Sequence, residues 1–516
     1  MDEITKLTSV ADIVKRCPTA RRVFDEYGLK GCGGEHGPTE PLVFFAAVHK
    51  VDVNRLVVEL NAELRNPSAE PHVYQETLGD YIYRRFFKAG IAVVLSVGCL
   101  WGALNLFEIA LRGNFLQLHL VPSIHAHAHA MIFGWLGLFV MGFAYQSFPR
   151  FKFTTLWRPD LANLTFVLML AGIATRIGAE LLQPQPVGFG LGILSAAAEV
   201  AAVVIFLVII VKTARQSVEP HSPYEKFIFG AFFWFLVQTV FSAVFFFAKA
   251  TAASQQQLIQ RIALLDGPLR DIQLLGFAAL VIAGVSQRFI PAVYGLDSPA
   301  KDRQELIFWL MNGSLLLDIA SYVLVLTTHN PLFAIGLEAS YLLMLAWAVL
   351  LVKQLRIFSP PRESERTFKF IRAAYSWLLV AVAMMPFFIV YGVLTHQYFA
   401  HSYMGAHRHA FTVGFISMMI LGVSSKVVPI LAGVDAKQMS SLWGPFILFN
   451  VGNAGRVLLQ ILTDFIPQVA FPLVGLTGFL EVTALAWWGI ELWRTMNLAK
   501  THRPRLFGAP LPIAAR

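Results

Sequence analysis

Charged residues are scarce in this chain. Asp, Glu, Lys and Arg make up 14% of its 516 residues, whereas hydrophobic residues make up 56%. A soluble protein usually carries about 25% charged residues. The apolar residues also form runs of about 20 or more, the length that crosses a hydrocarbon core of about 30 Å. The composition therefore excludes an ordinary soluble enzyme and predicts a membrane protein. The net charge of +9 then reflects loop topology and not a nucleic-acid-binding surface.

Cysteine is scarce too, and a secretory leader is not recognisable. The three cysteines, Cys17, Cys32 and Cys99, cannot form a closed disulfide framework. The first 80 residues are polar and mixed in charge, unlike the apolar core of a signal peptide. We therefore expect the chain to begin with a soluble segment.

That soluble segment, residues 1–75, is predicted to be a small helical domain. Residues 10–24 carry apolar side chains at helical spacing, with Pro18 as a helix starter. Gly31–Gly34 then breaks the chain, and two short amphipathic helices follow around 40–47 and 52–64. Residues 66–72 are predicted to be a linker because they are rich in proline and polar residues. The membrane domain follows over 80–500, with a cytoplasmic tail over 501–516.

Twelve apolar runs predict an all-α, polytopic membrane domain. Lys and Arg concentrate in the N-terminal segment and in the even-numbered loops, as at Arg84, Lys88, Arg150 and Lys301. By the positive-inside rule both termini face the cytoplasm of a bacterial inner membrane, and even-numbered helices start on the outer side. The predicted spans are 86–111, 124–149, 160–183, 187–213, 225–250, 268–291, 304–327, 331–355, 368–396, 404–430, 441–463 and 470–495.

An internal repeat joins the second, sixth and tenth of these helices. Segments 127–149, 269–291 and 407–429 align without gaps and lie about 140 residues, or four helices, apart. This spacing predicts three pseudo-symmetric four-helix arcs. The glycines predict close helix packing and the prolines predict helix ends. The shared positions are Gly134, Gly142 and Pro149, then Gly276, Gly284 and Pro291, then Gly414, Gly422 and Pro429.

Charged residues recur in the same register inside the following helices. Twenty-seven residues after each proline stand Arg176, Asp318 and Arg456. One helix later come Glu199, Glu338 and Glu481. An ionisable group in lipid is costly and usually faces a cavity, a partner or a cofactor. One interpretation is that Arg176–Glu199 and Arg456–Glu481 are structural ion pairs. The other is that the two arginines contact a bound cofactor.

Histidines cluster before and in the second and tenth helices. Seven of the fourteen lie there, and imidazole is the commonest metal and haem ligand among side chains. Residues two apart on a helix point about 200° apart, so His407 and His409 serve different sites, as do His127 and His129. His125 and His129 share a face if the helix reaches that far. The seven are His119, His125, His127 and His129, then His401, His407 and His409.

These spacings point to two centres near the tenth helix, one of them a haem held by one histidine from each helix. The alternative is that the histidines are merely hydrogen-bonded residues at helix starts. In the middle repeat Leu269 and Asp271 stand at the histidine positions, which indicates that this repeat is specialised differently.

Two segments carry a recognisable family pattern. His125–Pro149, which begins His-Ala-His-Ala-His-Ala, and Ala406–Phe415, which begins Ala-His-Arg-His-Ala, resemble the NnrS family of membrane haem–copper proteins. They also resemble helices II and X of the catalytic subunit of haem–copper oxidases and nitric oxide reductases. The resemblance implies that His127 and His409 bind a low-spin haem, with b-type haem expected and one or two haems in all. It further implies that His407 binds or lines a second haem.

Further cofactor contacts are expected around this core. Arg176 and Arg456 lie on the outer halves of their helices, where they would hold haem propionates. A copper ion would need ligands such as His125, His129 or His401, with His396 nearby.

The sequence departs from the oxidase pattern in the middle repeat. Oxidases and nitric oxide reductases place histidines in helices VI and VII for a second metal, whereas segments 268–291 and 304–327 contain none. This favours a nitric-oxide-binding haem protein that acts in nitric oxide metabolism or in resistance to nitrosative stress. The alternative is a divergent nitric oxide or oxygen reductase fed by quinol or cytochrome c. A transporter is a third interpretation, because repeats and buried charges also occur there.

The N-terminal segment carries a second resemblance. Ala11-Asp-Ile-Val, Pro18, Val23-Phe and Tyr27–Gly34 resemble the N-terminal domain of the ScdA-type iron-centre repair proteins. That family usually has two adjacent cysteines, whereas this chain has Gly31-Cys32. Cys32 is therefore either a reactive thiolate at a glycine-rich turn or part of a structural turn.

Overall fold

The computed structural model describes residues 3–34, 36–68, 74–75, 77–115, 117–360, 365–397 and 400–498. Within this part of the chain the regular structure is helical. Most of the predicted linker 66–72 and the whole predicted tail 501–516 lie outside the described residues.

The N-terminal segment forms four short helices around a small apolar core. They are α1 (Val10–Arg16), α2 (Ala20–Glu26), α3 (Leu42–His49) and α4 (Val53–Arg65). The backbone N–H of Asp12 donates to the Ser9 hydroxyl, which caps α1. The helical spacing over 10–24 is divided between two helices, since α1 ends at Arg16 and α2 begins at Ala20, just after the predicted helix starter Pro18. The two later helices are confirmed.

Twelve helices are long and apolar enough to cross a membrane, as predicted. The sixth of them begins at Gln255 and not near residue 268, because its first three turns are polar and hydropathy detects only the apolar part. The twelve are α5 (Leu78–Arg112), α6 (Leu118–Phe151), α7 (Pro159–Leu181), α8 (Pro186–Arg215), α9 (Pro223–Ala250), α10 (Gln255–Tyr294), α11 (Lys301–Thr328), α12 (Leu332–Leu355), α13 (Thr367–Thr395), α14 (His401–Ala432), α15 (Trp443–Leu462) and α16 (Pro467–Leu498).

The three helices of the repeat, α6, α10 and α14, form the inside of the bundle. In their most apolar 18-residue stretches 78%, 89% and 78% of residues are buried, against 28–50% in the other nine. We call them the inner helices. The ends that carry Pro149, Pro291 and Pro429 are the proline end, and the opposite ends are the histidine end.

The same packing contact recurs on each inner helix. A Cβ atom added at the second glycine of each repeat would lie 2.7 Å from the Cβ of a phenylalanine on the preceding helix. No side chain fits there, so the predicted role of these glycines in close packing is confirmed. The three pairs are Gly142 with Phe86, Gly284 with Phe227, and Gly422 with Phe370.

The backbone repeats as well. Each inner helix contains an eight-residue π-helical segment in the same register, at Ala130–Gly137, Ile272–Ala279 and Ala410–Ser417. Such segments widen the helix and often lie at functional sites. The sequence repeat is thus a repeat of three-dimensional structure in these helices.

The N-terminal domain packs against the proline end and contacts all three inner helices. On α6, a Cβ added at Gly28 would lie 2.8 Å from the Arg150 carbonyl oxygen. On α10, Arg288 donates to the Val48 carbonyl oxygen over 2.7 Å. On α14, the Lys426 ammonium lies 3.0 Å from the Glu40 carboxylate.

Cys32 lies in this interface. Its Sγ is 3.9 Å from the Ile430 carbonyl oxygen, and the Gly33 N–H donates to the Leu431 carbonyl oxygen over 3.3 Å. Burial raises the pKa of the Cys32 thiol, which disfavours the reactive thiolate form. The contacts therefore favour the structural-turn interpretation.

A cavity of about 100 Å³ lies between the inner helices in the half nearer the proline end. Its walls are hydrocarbon, contributed by side chains such as Phe139, Phe143, Val281, Val285, Ile420 and Val423. An apolar cavity of this size stays dry.

Candidate haem site

His127 is held in one orientation by a neighbouring helix. Its Nδ1 lies 2.9 Å from the carbonyl oxygen of Gly98 on α5. A carbonyl can only accept, so Nδ1 carries the proton and Nε2 keeps a free lone pair. Residues Val94–Gly98 form a π-helical turn, which releases the Gly98 carbonyl from the regular ladder. This is the second contact that metal-ligating histidines usually have.

His409 is oriented in the same way from within its own helix. Its Nδ1 lies 3.0 Å from the carbonyl oxygen of Gly405, one turn earlier on α14. Nε2 is again left to act as a ligand. His127 and His409 are close enough for the charge of one ring to act on the other, and the Arg456 guanidinium acts on both. The pair expected to share one haem therefore lies in one region.

A buried polar stripe on α15 borders this region. Asn453, Arg456 and Gln460 are spaced to share one helix face and are 0%, 8% and 2% exposed. Both side-chain polar atoms of Asn453, Nε and Nη1 of Arg456 and Oε1 of Gln460 have no hydrogen-bond partner among the described residues. Buried polar atoms are normally paired, often by a ligand or water.

These residues fit a haem. They supply two imidazoles whose Nε2 atoms are free to coordinate iron. They also supply a buried guanidinium with unpartnered nitrogens, which could pair with the negatively charged haem propionates. Helix packing is tight beside His127, since a Cβ at Gly102 would lie 2.4 Å from its Cε1. Sequence reasoning missed Asn453 and Gln460, although their spacing from Arg456 could have revealed them.

The expected ion pair between Arg456 and Glu481 is wrong as a direct contact. Among the described residues no ion pair within 4.0 Å joins them, and Glu481 Oε1 is buried without a partner. Both side chains remain available to a group lying between α15 and α16.

The other face of α6 carries a separate polar network. His129 Nε2 lies 2.6 Å from Glu199 Oε1, and both side chains are almost fully buried. His125 Nδ1 lies 2.6 Å from the Lys249 ammonium, which also pairs with Glu180 over 2.7 Å. Helix α6 is regular over Val121–His129, so His125 and His129 share a face as predicted.

Arg176 belongs to this second network. It pairs with Glu180 over 3.1 Å, donates to the Ser242 carbonyl oxygen and stacks 4.4 Å from the Phe246 ring centroid. The expected pair Arg176–Glu199 is therefore wrong. Arg176 pairs with Glu180, which lies one turn away on the same helix, and Glu199 pairs with His129. Arg456, and not Arg176, lies beside His127 and His409.

His407 points away from the first pair. Two residues before His409, it projects from the opposite side of α14. Its Nε2 is buried and has no hydrogen-bond partner among the described residues. This nitrogen is free to serve a second site, as the spacing predicted.

His401 does not join His125 and His129, the other side chains predicted to bind copper. His125 and His129 border a cavity of about 10 Å³, room for about one water molecule. His401 is exposed, with its ring 5.7 Å from that of Phe115. In the described part of the chain no three His, Cys, Asp or Glu side chains are grouped so that they could hold a metal ion.

The twelve apolar helices define a multi-pass helical membrane protein, with histidines of α6 and α14 clustered near one end of its inner helices. The sequence pattern of the NnrS protein family matches residues 78–499, and the chain therefore belongs to the NnrS family. The match covers the membrane helices and leaves the N-terminal domain outside. No curated protein matches the chain.

Proposed function

We propose that this protein is a haem protein of the bacterial inner membrane that acts in nitric oxide metabolism or in resistance to nitrosative stress. Membership of the NnrS family supports a haem protein related to nitric oxide. The single observation that carries the proposal is the pair of imidazoles on α6 and α14. Both have Nδ1 engaged by a backbone carbonyl and Nε2 free.

In this proposal His127 and His409 hold one b-type haem. Arg456 faces its propionates, and Asn453 and Gln460 add hydrogen bonds along the same helix face. His407 anchors a second haem or lines its site. A haem iron with a vacant or weak sixth position binds nitric oxide. The chain's own part is to fix the imidazole tautomers, neutralise the propionates and exclude water.

The arrangement that supports this function is threefold. We infer three four-helix arcs around the inner helices, because the phenylalanine–glycine contact and the π-helical segment recur in each repeat. Loop charge supports cytoplasmic termini, which puts the N-terminal domain on the cytoplasmic side and the histidine end on the outer side.

The second candidate is a divergent nitric oxide or oxygen reductase taking electrons from quinol or cytochrome c. That chemistry needs another metal beside the reactive haem. A metal analysis that found stoichiometric copper or non-haem iron beside haem would favour it. A purified protein without a Soret band would instead favour a transporter.

The test is the optical and pyridine-haemochrome spectrum of the purified full-length protein. His127→Ala and His409→Ala should each lose haem. His407→Ala should lose a second haem or alter the spectrum of the first, and it should change nitric oxide binding by the protein. His119→Ala is the matched control, because His119 is exposed at the histidine end and hydrogen-bonds to Glu108 over 2.8 Å. Full haem content in all three site variants would refute the proposal.

A further inference from the structure

The middle repeat carries carboxyl groups where the other two carry histidine and arginine. Asp271 stands at the position of His129 and His409, and Asp318 at the position of Arg176 and Arg456. Asp271 lies on the inner helix α10, and Asp318 lies on α11, where its own side chain is buried. The proposed haem sites do not use either residue.

Asp271 and Asp318 face each other within hydrogen-bond reach. Asp318 is 1% exposed. Its Oδ1 accepts a long contact of 3.4 Å from the Ser340 hydroxyl, whereas its Oδ2 is buried without any donor among the described residues. Ionised carboxylates only accept hydrogen bonds. A contact between two of them in a site of low dielectric requires that one carries a proton.

The charges around the pair leave one negative charge in excess. On α10, Asp266 lies 3.1 Å from Arg270, and Arg408 of α14 lies 2.9 Å from the other oxygen of Asp266. Three carboxylates, those of Asp266, Asp271 and Asp318, thus face two guanidinium groups. One bound proton makes the cluster neutral.

The remaining titratable groups that face the pair come from α11 and α12. Tyr322 of α11 donates its hydroxyl proton to the Ala263 carbonyl oxygen over 2.7 Å. Tyr341 of α12 also lies close enough to interact with the charge of the pair, and Glu338 of the same helix interacts with Tyr341. Two neutral phenols and a half-buried carboxyl add no cation, so the excess negative charge stays.

Arg408 connects this cluster to the histidines of α14. It lies between His407 and His409 in the sequence, and its side chain reaches Asp266 on α10. Arg408 therefore places a cationic group from the histidine-bearing helix in contact with the carboxyl cluster.

We propose that Asp271 and Asp318 form a proton-binding site that holds one shared proton at neutral pH and exchanges it with water at the histidine end. No bond other than O–H forms or breaks, and the proton comes from and returns to the solvent. The response of this site to the charge of the haem region rests on the proposed function, whereas the bound proton does not.

Infrared spectroscopy of the purified full-length protein tests the bound proton. At neutral pH the wild type should show one protonated carboxylic acid band that shifts to lower frequency after exchange into D₂O. Asp318→Asn and Asp271→Asn should each remove this band. Glu338→Gln is the control, because Glu338 is a half-buried carboxyl on the neighbouring helix α12 and its replacement leaves Asp271 and Asp318 unchanged, so the band should be kept.

Three results would overturn the proposal: no such band in the wild type, a band kept in both asparagine variants, or a band lost on adding Na⁺ but not choline. The last result would identify a cation site. If Asp318→Asn does not fold, Asp271→Asn at the less buried member decides the question.

The coupling to haem is measured separately, by the infrared change on reduction with dithionite. A band shift that is absent from Asp271→Asn supports coupling. A band that stays unchanged on reduction in a haem-loaded wild type refutes coupling and leaves the bound proton standing. Absence of haem would refute the proposed function alone.

Discussion

The imidazole of His127 on α6 donates its Nδ1 proton to the carbonyl oxygen of Gly98 on α5, 2.9 Å away. The two residues lie on different membrane helices. The irregular turn at Val94–Gly98 is what makes this carbonyl available. The orientation and tautomer of the His127 ring are therefore fixed by the backbone of α5, a helix that contains no histidine.

This relationship predicts a large effect from a small substitution. Gly102→Ala would place a Cβ atom 2.4 Å from Cε1 of His127 and displace the ring. We expect haem affinity to fall by about 10-fold to 100-fold, as when an outer-shell partner of a metal ligand is lost. Haem content and the Soret spectrum measure this. Gly190→Ala is the control, because a Cβ there meets nothing within 4 Å. Equal haem content in both variants would contradict the assignment.

Substitutions of the two buried arginines, Arg456 and Arg176, are predicted to have different effects on haem retention and stability. Arg456→Gln should reduce haem retention, because it removes the buried cation beside His127 and His409. Arg176→Gln should keep haem but lower stability by about 3–5 kcal/mol, because it leaves Glu180 in a broken buried network. Haem content and thermal unfolding, measured on both variants, separate the outcomes. Haem loss in Arg176→Gln with none in Arg456→Gln would reverse the roles.

Docking of the N-terminal domain should depend on Lys426. This lysine is 7% exposed and contacts Glu40 over 3.0 Å and Glu365 over 2.5 Å. Glu40→Gln should weaken docking by about 1.5–3 kcal/mol and speed proteolysis between α4 and α5. Glu3→Gln removes only an exposed pair with Arg65, so we expect less than about 1 kcal/mol there. Similar cleavage rates in the two variants would show that the lysine contact does not hold the domain.

Acidification should loosen the same interface through His49. Burial, and then the charges of Arg288 and Arg150, lower the pKa of His49 from 6.5 to about 3. Between these values the undocked state binds a proton that the docked state does not, so docking weakens as pH falls through 6.5. Lowering the pH from 7 to 5 should cost about 2 kcal/mol.

The matched variant for this pH effect is His49→Phe. Its ring would stack on Phe45 and Phe153 as the imidazole does, without a titrating nitrogen. Lys50, with its pKa lowered to about 8 by burial, stays protonated over this range in both states and contributes no slope. Hydrogen exchange of α3 at pH 7 and pH 5 should change in the wild type and not in His49→Phe. A pH response of equal size in both proteins would exclude His49 as its cause.

The sequence determined the number of membrane helices, the repeat and the division of the histidines between two faces, because these follow from hydrophobic length and helical periodicity alone. It did not determine that Arg176 pairs with Glu180 and Glu199 with His129. The spacing of Arg176 and Glu180, one turn apart on α7, could have suggested their pair. The contact of Glu199 with His129 depends on how α6 and α8 are rotated against each other, which one sequence does not specify. The start of α10 at Gln255 was not predicted for another reason: its first turns are polar, so hydropathy does not detect them.

The dry cavity between the inner helices has a consequence for electrical insulation. Phe143, Val285 and Val423 interpose hydrocarbon between the proline end and the histidine end along the centre of the bundle. An ion following that line would lose its hydration without gaining polar contacts. The centre of the bundle is therefore an electrical insulator across the membrane. Protons or other ions that reach the histidine end have to come from the solvent on the same side or pass along the outer helices.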